Sequence, residues 1–220
     1  MTTRPISRAA AVAGLVALAA TVAAALAGLD RLTETRIAVN EAERVRRSLT
    51  AVLPAESRFD NAPQLDWVAL QTSTELGIDE ALPVWRARLG GQPSAAVLTV
   101  ATPDGYVDRI RLIVGVSVDG RVISVRAAQH NETPGLGDAI DTAKSDWILG
   151  FDGMALDPVT QWALRRDGGE FDAMTGATIT SRAVINAVAA GLSWFEINRD
   201  TVFTVDTADE RAVAGLAASE

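Results

Sequence analysis

Residues 110–128 read Ile110-Arg111-Leu112-Ile113-Val114-Gly115-Val116-Ser117-Val118-Asp119-Gly120-Arg121-Val122-Ile123-Ser124-Val125-Arg126-Ala127-Ala128. Ile110, Leu112, Val114 and Val116 alternate with other residues, the two-residue period of a strand with one face buried. Asp119-Gly120 is a tight-turn dipeptide, so Val122–Ala128 is predicted to fold back as the second arm of a hairpin. The pattern continues upstream. Ala95–Thr102 is closed by Pro103-Asp104-Gly105, and Val84–Leu89 by Gly90-Gly91, both turn signals. Residues 83–129 therefore read as antiparallel strands.

Downstream, Asp138 to Leu149 is predicted as a short helix burying Ile140, Trp147 and Ile148. Trp162–Arg166 is a candidate strand ended by Asp167-Gly168-Gly169. Ser181–Ile197 carries the stripe Val184, Val188, Leu192 and Phe195 of an amphipathic helix, with Thr180 or Ser181 as N-cap. Thr201–Val205 reads as an edge strand, and residues 206–220 as a small, polar tail. The fold class is α/β in the α+β sense, an antiparallel sheet with flanking helices.

Upstream lies a different kind of segment. Ala9–Leu29 is 21 residues without charge, preceded by Arg4 and Arg8. As a helix it rises about 31 Å, close to the hydrocarbon thickness of a bilayer. Its seven Leu and Val residues contribute only about −2 to −4 kcal/mol of insertion free energy, a weak but adequate span. The basic residues before it favour a cytoplasmic N-terminus, which puts residues 30–220 outside. Ala23-Ala24-Ala25 and Ala25-Leu26-Ala27 also satisfy a signal-peptidase pattern, so cleavage is the alternative to a retained anchor. Asp30 to Leu53 reads as a helix, ended by Pro54, that is either a solvated stalk or packed on the domain. The expected organisation is residues 1–8 cytoplasmic, 9–29 a transmembrane anchor, 30–80 a membrane-proximal helix and connection, and 81–205 the ligand-binding domain.

Composition narrows the chemistry. Among 220 residues there is no cysteine and one histidine, His130. That excludes cysteine-ligated iron–sulfur clusters, thiol nucleophiles, disulfides and multi-histidine metal sites. From Asp30 onward 18 basic residues face 28 acidic ones, a net charge of −10. Such a surface argues against nucleic-acid binding, which depends on phosphate neutralisation. Hydroxyls, carboxylates, backbone groups or a bound organic cofactor remain.

Two loops could carry that chemistry. One is His130-Asn131-Glu132-Thr133-Pro134-Gly135-Leu136-Gly137-Asp138. Its Gly135-Leu136-Gly137 lacks the third glycine of a dinucleotide fingerprint, and no βαβ unit surrounds it. The other is Asp172-Ala173-Met174-Thr175-Gly176-Ala177-Thr178-Ile179-Thr180, directly before the Ser181 helix. Small residues there let a ligand approach the backbone, and a helix start offers free N–H groups and a positive dipole end, a seat for phosphate. A plain capped helix start explains the same residues.

Taken together, these segments resemble the G subunit of the Rnf electron-transport complex, a membrane ferredoxin:NAD⁺ oxidoreductase. The resemblance runs along the N-terminal span, Ala101 to Tyr106, His130 to Asp138, Lys144 to Ile148, Asp167 to Gly169 and Phe171 to Val188. Thr175-Gly176-Ala177-Thr178 matches the flavinylation motif of that family, [ST]-G-A-T. The resemblance implies an FMN-binding domain with FMN joined by a phosphoester to Thr178. It implies Thr175, Gly176 and Ala177 around the phosphate, and Glu132, Thr133, Gly135, Leu136 and Gly137 as flavin contacts. Met174 and Trp147 are either core residues or flavin neighbours. The implied function is electron carriage, without bond chemistry by the chain itself. The implied partners are the other membrane subunits of the complex and, for maturation, an FAD-dependent, Mg²⁺-requiring flavin transferase. The implied place is the bacterial inner membrane, with the domain periplasmic. The alternatives are the C subunit of the Na⁺-translocating NADH:quinone reductase, which shares the motif, and a cofactor-free, membrane-tethered assembly subunit. Asp138 and Lys144–Ile148 favour the first reading.

Overall fold

The computed structural model describes residues 18–22, 43–53, 59–70, 73–79, 81–156 and 161–204. The chain divides into two compact units, Met1–Val45 and Arg46–Glu220. In the first, residues 18–22 are helical and exposed. The rest of the expected 9–29 span, residues 30–42 of the expected membrane-proximal helix, and the 206–220 tail lie outside the described residues. Among the described residues no helix is long and apolar enough to cross a membrane.

The second unit is built on one antiparallel sheet. Its strands are β1 (Trp67–Leu70), β2 (Leu82–Leu89), β3 (Gln92–Thr102), β4 (Ile110–Ser117) and β5 (Val122–Gln129). They pair in sequence order, β1-β2-β3-β4-β5. The register follows the hydrophobic alternation, with Leu98 opposite Val114 and Val114 opposite Val125. These three, with Val84, Val100, Ile110 and Leu112, are fully buried in the main core. A first helix, α1, covers residues 43–52. The 27-residue helix α2 (Thr178–Thr204) covers the core face of the sheet, packing chiefly on β3 and β4. Its approach is close: a Cβ at Gly191 would lie 2.8 Å from Val100 Cγ1.

The opposite face receives α1 through its residues from Arg46 onward. Leu49, Val52 and Leu53 are buried. Gly115, in the middle of β4, is explained by this contact, since a Cβ there would fall 2.5 Å from the Val52 carbonyl oxygen. Ser124 Oγ donates to the Ala51 and Val52 carbonyls, both at 3.3 Å, satisfying groups that the helix end leaves unpaired. The packed reading of this helix therefore holds for residues 46–53.

The structure departs from the sequence-based expectations in five places. β1 is absent from them; it has four residues and no clear alternation, it pairs with β2 from Trp67 opposite Trp85 to Leu70 opposite Leu82, and Asp66 just before it binds Arg86 and Arg88 of β2. The helix predicted over 138–149 is instead two 3₁₀ turns, Gly137–Ile140 and Trp147–Phe151. Asp141 between them is extended, with φ −76° and ψ 130°, and its carboxylate meets His130 Nε2 at 3.2 Å. The strand predicted over Trp162–Arg166 reduces to one bridge, Leu164 to Phe171, followed by a 3₁₀ turn at Arg165–Asp167. The edge strand predicted at Thr201–Val205 is helical through Thr204. There Arg86 Nη1 and Arg88 Nη2 donate to the Val202 and Phe203 carbonyls, each at 3.1 Å, capping the negative end of the helix dipole. Finally, α2 begins at Thr178, three residues before the predicted Ser181.

Candidate functional site

The early start of α2 shapes the site. Thr178 is the first residue of the helix, not a loop residue before it. Thr180 does not serve as N-cap: it is fully buried, and its Oγ1 donates to Glu132 Oε2. Ser181 closes the preceding turn, its Oγ accepting from Met174 N–H and donating to the Ala177 carbonyl, both at 2.9 Å. Gly176 has φ +76°, a backbone conformation that favours glycine. A Cβ there would also meet Leu136 Cδ2 at 2.8 Å.

Beneath this turn lies an aromatic cluster. Phe151 and Phe171 have ring centroids 4.8 Å apart, Trp162 and Phe171 5.3 Å. Trp147 meets Phe151 edge-on at 5.5 Å and donates its Nε1–H to the Asp172 carbonyl at 2.6 Å. Trp147 thus acts as a support of the loop, and Met174, 5 % exposed, belongs to the core.

The other loop is held by its own polar groups. Asp138 Oδ1 accepts from Gly135 N–H at 2.7 Å, and His130 Nδ1 accepts from Glu132 N–H at 3.3 Å. Glu132 is the joint between segments. Only 4 % exposed, its carboxylate accepts from Thr180 on α2 and, through Oε1, from Val107 N–H in the 103–109 turn at 3.2 Å. A Cβ at Gly137 would collide with it, 2.7 Å from Glu132 Oε2. A buried carboxylate is tolerated only when hydrogen-bonded, and here both oxygens are.

The three segments enclose a cleft of about 410 Å³ lined by Tyr106, Glu132, Thr133, Leu136, Gly137, Gly176, Ala177, Thr178, Ile179 and Thr180. Its size suits a small-molecule ligand. The structure therefore brings together seven of the nine expected site residues: Glu132, Thr133, Leu136, Gly137, Gly176, Ala177 and Thr178. Thr175 and Gly135 are exposed beside the cleft but do not line it. Tyr106, Ile179 and Thr180 line it without being expected from the sequence. Tyr106 directly follows Pro103-Asp104-Gly105, a segment that belongs to the family resemblance but from which no site residue is expected. Among the described residues no lysine or arginine lines the cleft, so a bound anion would rely on the start of α2.

The residues present fit a flavin mononucleotide. Exposed apolar side chains, Tyr106, Leu136 and Ile179, offer surface for a planar ring. Two glycines, Gly137 and Gly176, and the first residues of α2 are also in the cleft lining.

Comparison with known proteins agrees. The model of the FMN-binding domain family matches residues 105–193, which contain both loops and the first half of α2. The G subunit of the ion-translocating oxidoreductase complex of Pseudomonas aeruginosa (strain UCBPP-PA14) is 44 % identical over 209 residues, covering 94 % of this chain and 96 % of its own. The corresponding protein of Shewanella loihica is 42 % identical over 201 residues, covering 90 % and 93 %. The crystal structure of Shewanella oneidensis NqrC matches with a TM-score of 0.45 and 22 % identity, over 61 % of this chain and 68 % of that chain. With relatives so similar along nearly its whole length, the chain belongs to the family of G subunits of ion-translocating oxidoreductase complexes.

Proposed function

We propose that this chain is a membrane-anchored electron carrier that holds FMN covalently through Thr178, as a subunit of an Rnf-type complex. The observation that carries this reading is the position of Thr178: half-buried, the first residue of α2, in the wall of the cleft and behind Gly176-Ala177. The hydroxyl stands where a phosphate gains most from the helix start. Charge supports a diester over a free ligand. A phosphomonoester carries about 1.5–2 negative charges at neutral pH, and among the described residues the cleft offers it no cation, with the Glu132 carboxylate nearby. A phosphodiester to Thr178 carries one charge, which the helix start can offset.

In this reading Thr178 Oγ forms the new bond to the FMN phosphorus of FAD, AMP leaves, and the hydroxyl proton is released. An FAD-dependent, Mg²⁺-requiring flavin transferase performs the step. When bound, FMN supplies one-electron transfers between the partner subunits. The chain's own residues fix the group. Gly176, Ala177 and Thr175 make room at the phosphate, while Glu132 holds the 103–109 turn and α2 against each other. Thr133, Leu136 and Gly137, with Gly135 supporting their loop, form the wall. Residues 9–29 anchor the chain with its N-terminus in the cytoplasm, and the domain works on the outer side of the inner membrane.

The test is Thr178→Ala in the full-length chain coexpressed with the transferase. The variant is expected to fold and to lose both the FMN mass increment and the fluorescent band in a denaturing gel. Thr175→Ala is expected to lower attachment without abolishing it. A Thr178→Ala chain that still carries a fluorescent band places the cofactor on another hydroxyl.

A further inference from the structure

The first turn of α2 holds no acidic residue, although a helix start favours negative charge. The charge that does stand near it has the opposite sign. Arg182 is the only charged residue among the first eighteen of α2, Thr178 to Phe195. A cation there adds to the positive end of the helix dipole instead of offsetting it. Arg182 follows Thr178 by four residues, so the two share one face, one turn apart, and a helical side chain leans back toward the N-terminal turn. Arg182 has a partner off the helix: its Nη2 donates to Asp167 Oδ2 at 2.7 Å. While so paired, the guanidinium is not part of the cleft lining. The pair is exposed, with 47 % of the Arg182 side chain and 39 % of the Asp167 side chain open to solvent. Exposed ion pairs contribute little to stability, so this one is cheap to give up. Asp167 would not be left alone, because Arg166 Nε lies 3.9 Å from its Oδ1.

We propose that Arg182 is a positioning residue for the attached cofactor: it leaves Asp167 and becomes the counter-cation of the phosphodiester at Thr178. This rests on the reading that FMN is attached there. The order of charges is the favourable one for a helical pair, with the anion first and the cation four residues on. A guanidinium offers two parallel N–H donors, which match the two free oxygens of a phosphodiester. The pair holds the phosphate end of the cofactor against one face of α2 and leaves Asp167 to Arg166. It also gives the helix start the anion that its own first turn lacks.

The experiment follows the Asp167 carboxyl by carbon-13 NMR titration of the full-length protein in two forms, one loaded by coexpression with the transferase and one expressed without it. Intact mass shows which chains carry FMN. In the unloaded chain the Arg182 hydrogen bond holds the Asp167 carboxyl below its ordinary value. Losing that donor removes the stabilisation of the carboxylate, so loading is expected to raise the midpoint toward that of the unloaded Arg182→Gln chain. The phosphate's own negative charge acts in the same direction, and the variant separates the two effects. In Arg182→Gln, loading is expected to move Asp167 by only a small fraction of the wild-type shift. The phosphorus-31 resonance of the loaded protein gives a second readout. It is expected to differ between wild type and Arg182→Gln at low salt, with the difference shrinking at high salt. Equal Asp167 midpoints in loaded and unloaded wild type overturn the proposal, as does a loading shift in Arg182→Gln as large as that in wild type. Either result leaves the attachment reading standing, because the FMN mass is still present. A wild-type chain that never gains the FMN mass overturns both.

Discussion

Replacing Thr180 by valine conserves shape at a fully buried position and removes one hydroxyl. In the structure that hydroxyl donates to Glu132 Oε2, and Glu132 is 4 % exposed with its other oxygen on Val107 N–H. The substitution therefore strands one oxygen of a buried carboxylate. A hydrogen bond to a charged group contributes about 1.5–3 kcal/mol, and an unsatisfied buried acceptor costs a similar amount. We expect Thr180→Val to lose about 2–3 kcal/mol. Losing an ordinary N-cap costs about 1 kcal/mol, so a second variant separates the two roles by sign. Aspartate is as good an N-cap as threonine. At this position it sets a second carboxylate against Glu132, and we expect a loss of about 3–5 kcal/mol, that of an uncompensated buried charge. Thr180→Ser keeps the donor and should lose only about 1 kcal/mol. The assay is equilibrium unfolding of the full-length protein in urea, followed by far-ultraviolet circular dichroism. With a slope of about 2 kcal/mol per molar, Thr180→Val should lower the midpoint by roughly 1 M. A Thr180→Val protein within about 0.5 kcal/mol of wild type, the range of ordinary surface changes, refutes the assignment. So does a Thr180→Asp protein as stable as wild type.

Further outcomes follow from other contacts. Gly115→Ala puts a methyl group 2.5 Å from the Val52 carbonyl oxygen; it should cost about 1–3 kcal/mol and speed amide exchange at residues 49–53 before any other region. Arg86, 2 % exposed, binds Asp66 and the Val202 carbonyl. Arg86→Met should cost about 3 kcal/mol and fray the last turn of α2, seen as lost exchange protection there. The Arg182 guanidinium, 2.7 Å from Asp167 Oδ2, holds that carboxyl below its ordinary value, aided by the charge of Arg166. A depressed carboxylate contributes stability at neutral pH that is lost as pH falls through its folded-state pKa. Arg182→Gln should therefore move the Asp167 midpoint upward in a carboxyl NMR titration, and an unmoved midpoint refutes the pairing. Alkaline phosphatase fused after Glu220 should be active if residues 30–220 lie outside the cytoplasm; an inactive fusion beside an active cytosolic reporter reverses the topology.

Strands β2 to β5 are legible in the sequence within a few residues because their information is local. A two-residue alternation and a turn dipeptide are both decided by neighbours along the chain, as at Ile110–Val116 and Asp119-Gly120. The stripe of α2 is legible for the same reason, and Val184, Val188, Leu192 and Phe195 are all buried. The elements that differ from expectation depend on residues far apart in sequence. β1 pairs with a strand about fifteen positions on, beside the Asp66–Arg86 ion pair, and the end of α2 is capped by Arg86 and Arg88, more than a hundred positions away. No local pattern at Thr201–Thr204 distinguishes a capped helix end from an edge strand.

The site divides along the same line. By itself, the sequence determined that Thr175-Gly176-Ala177 is a small-residue loop before a helix and that Glu132–Leu136 is a Gly- and Pro-containing loop after a strand. It also determined that cysteine and multi-histidine chemistry is absent, because these are matters of composition and spacing. Only the tertiary structure decided that the two loops face one cleft, that Tyr106 joins them from a third segment, and that Glu132 and Thr180 bind each other across 48 positions. The physical reason is burial. A carboxylate and a hydroxyl read from sequence are equally at home in water, as a solvated glutamate and a helix cap. Once the sheet and α2 exclude solvent between them, each must find a partner, and the partner it finds sets the position of the helix start that carries Thr178.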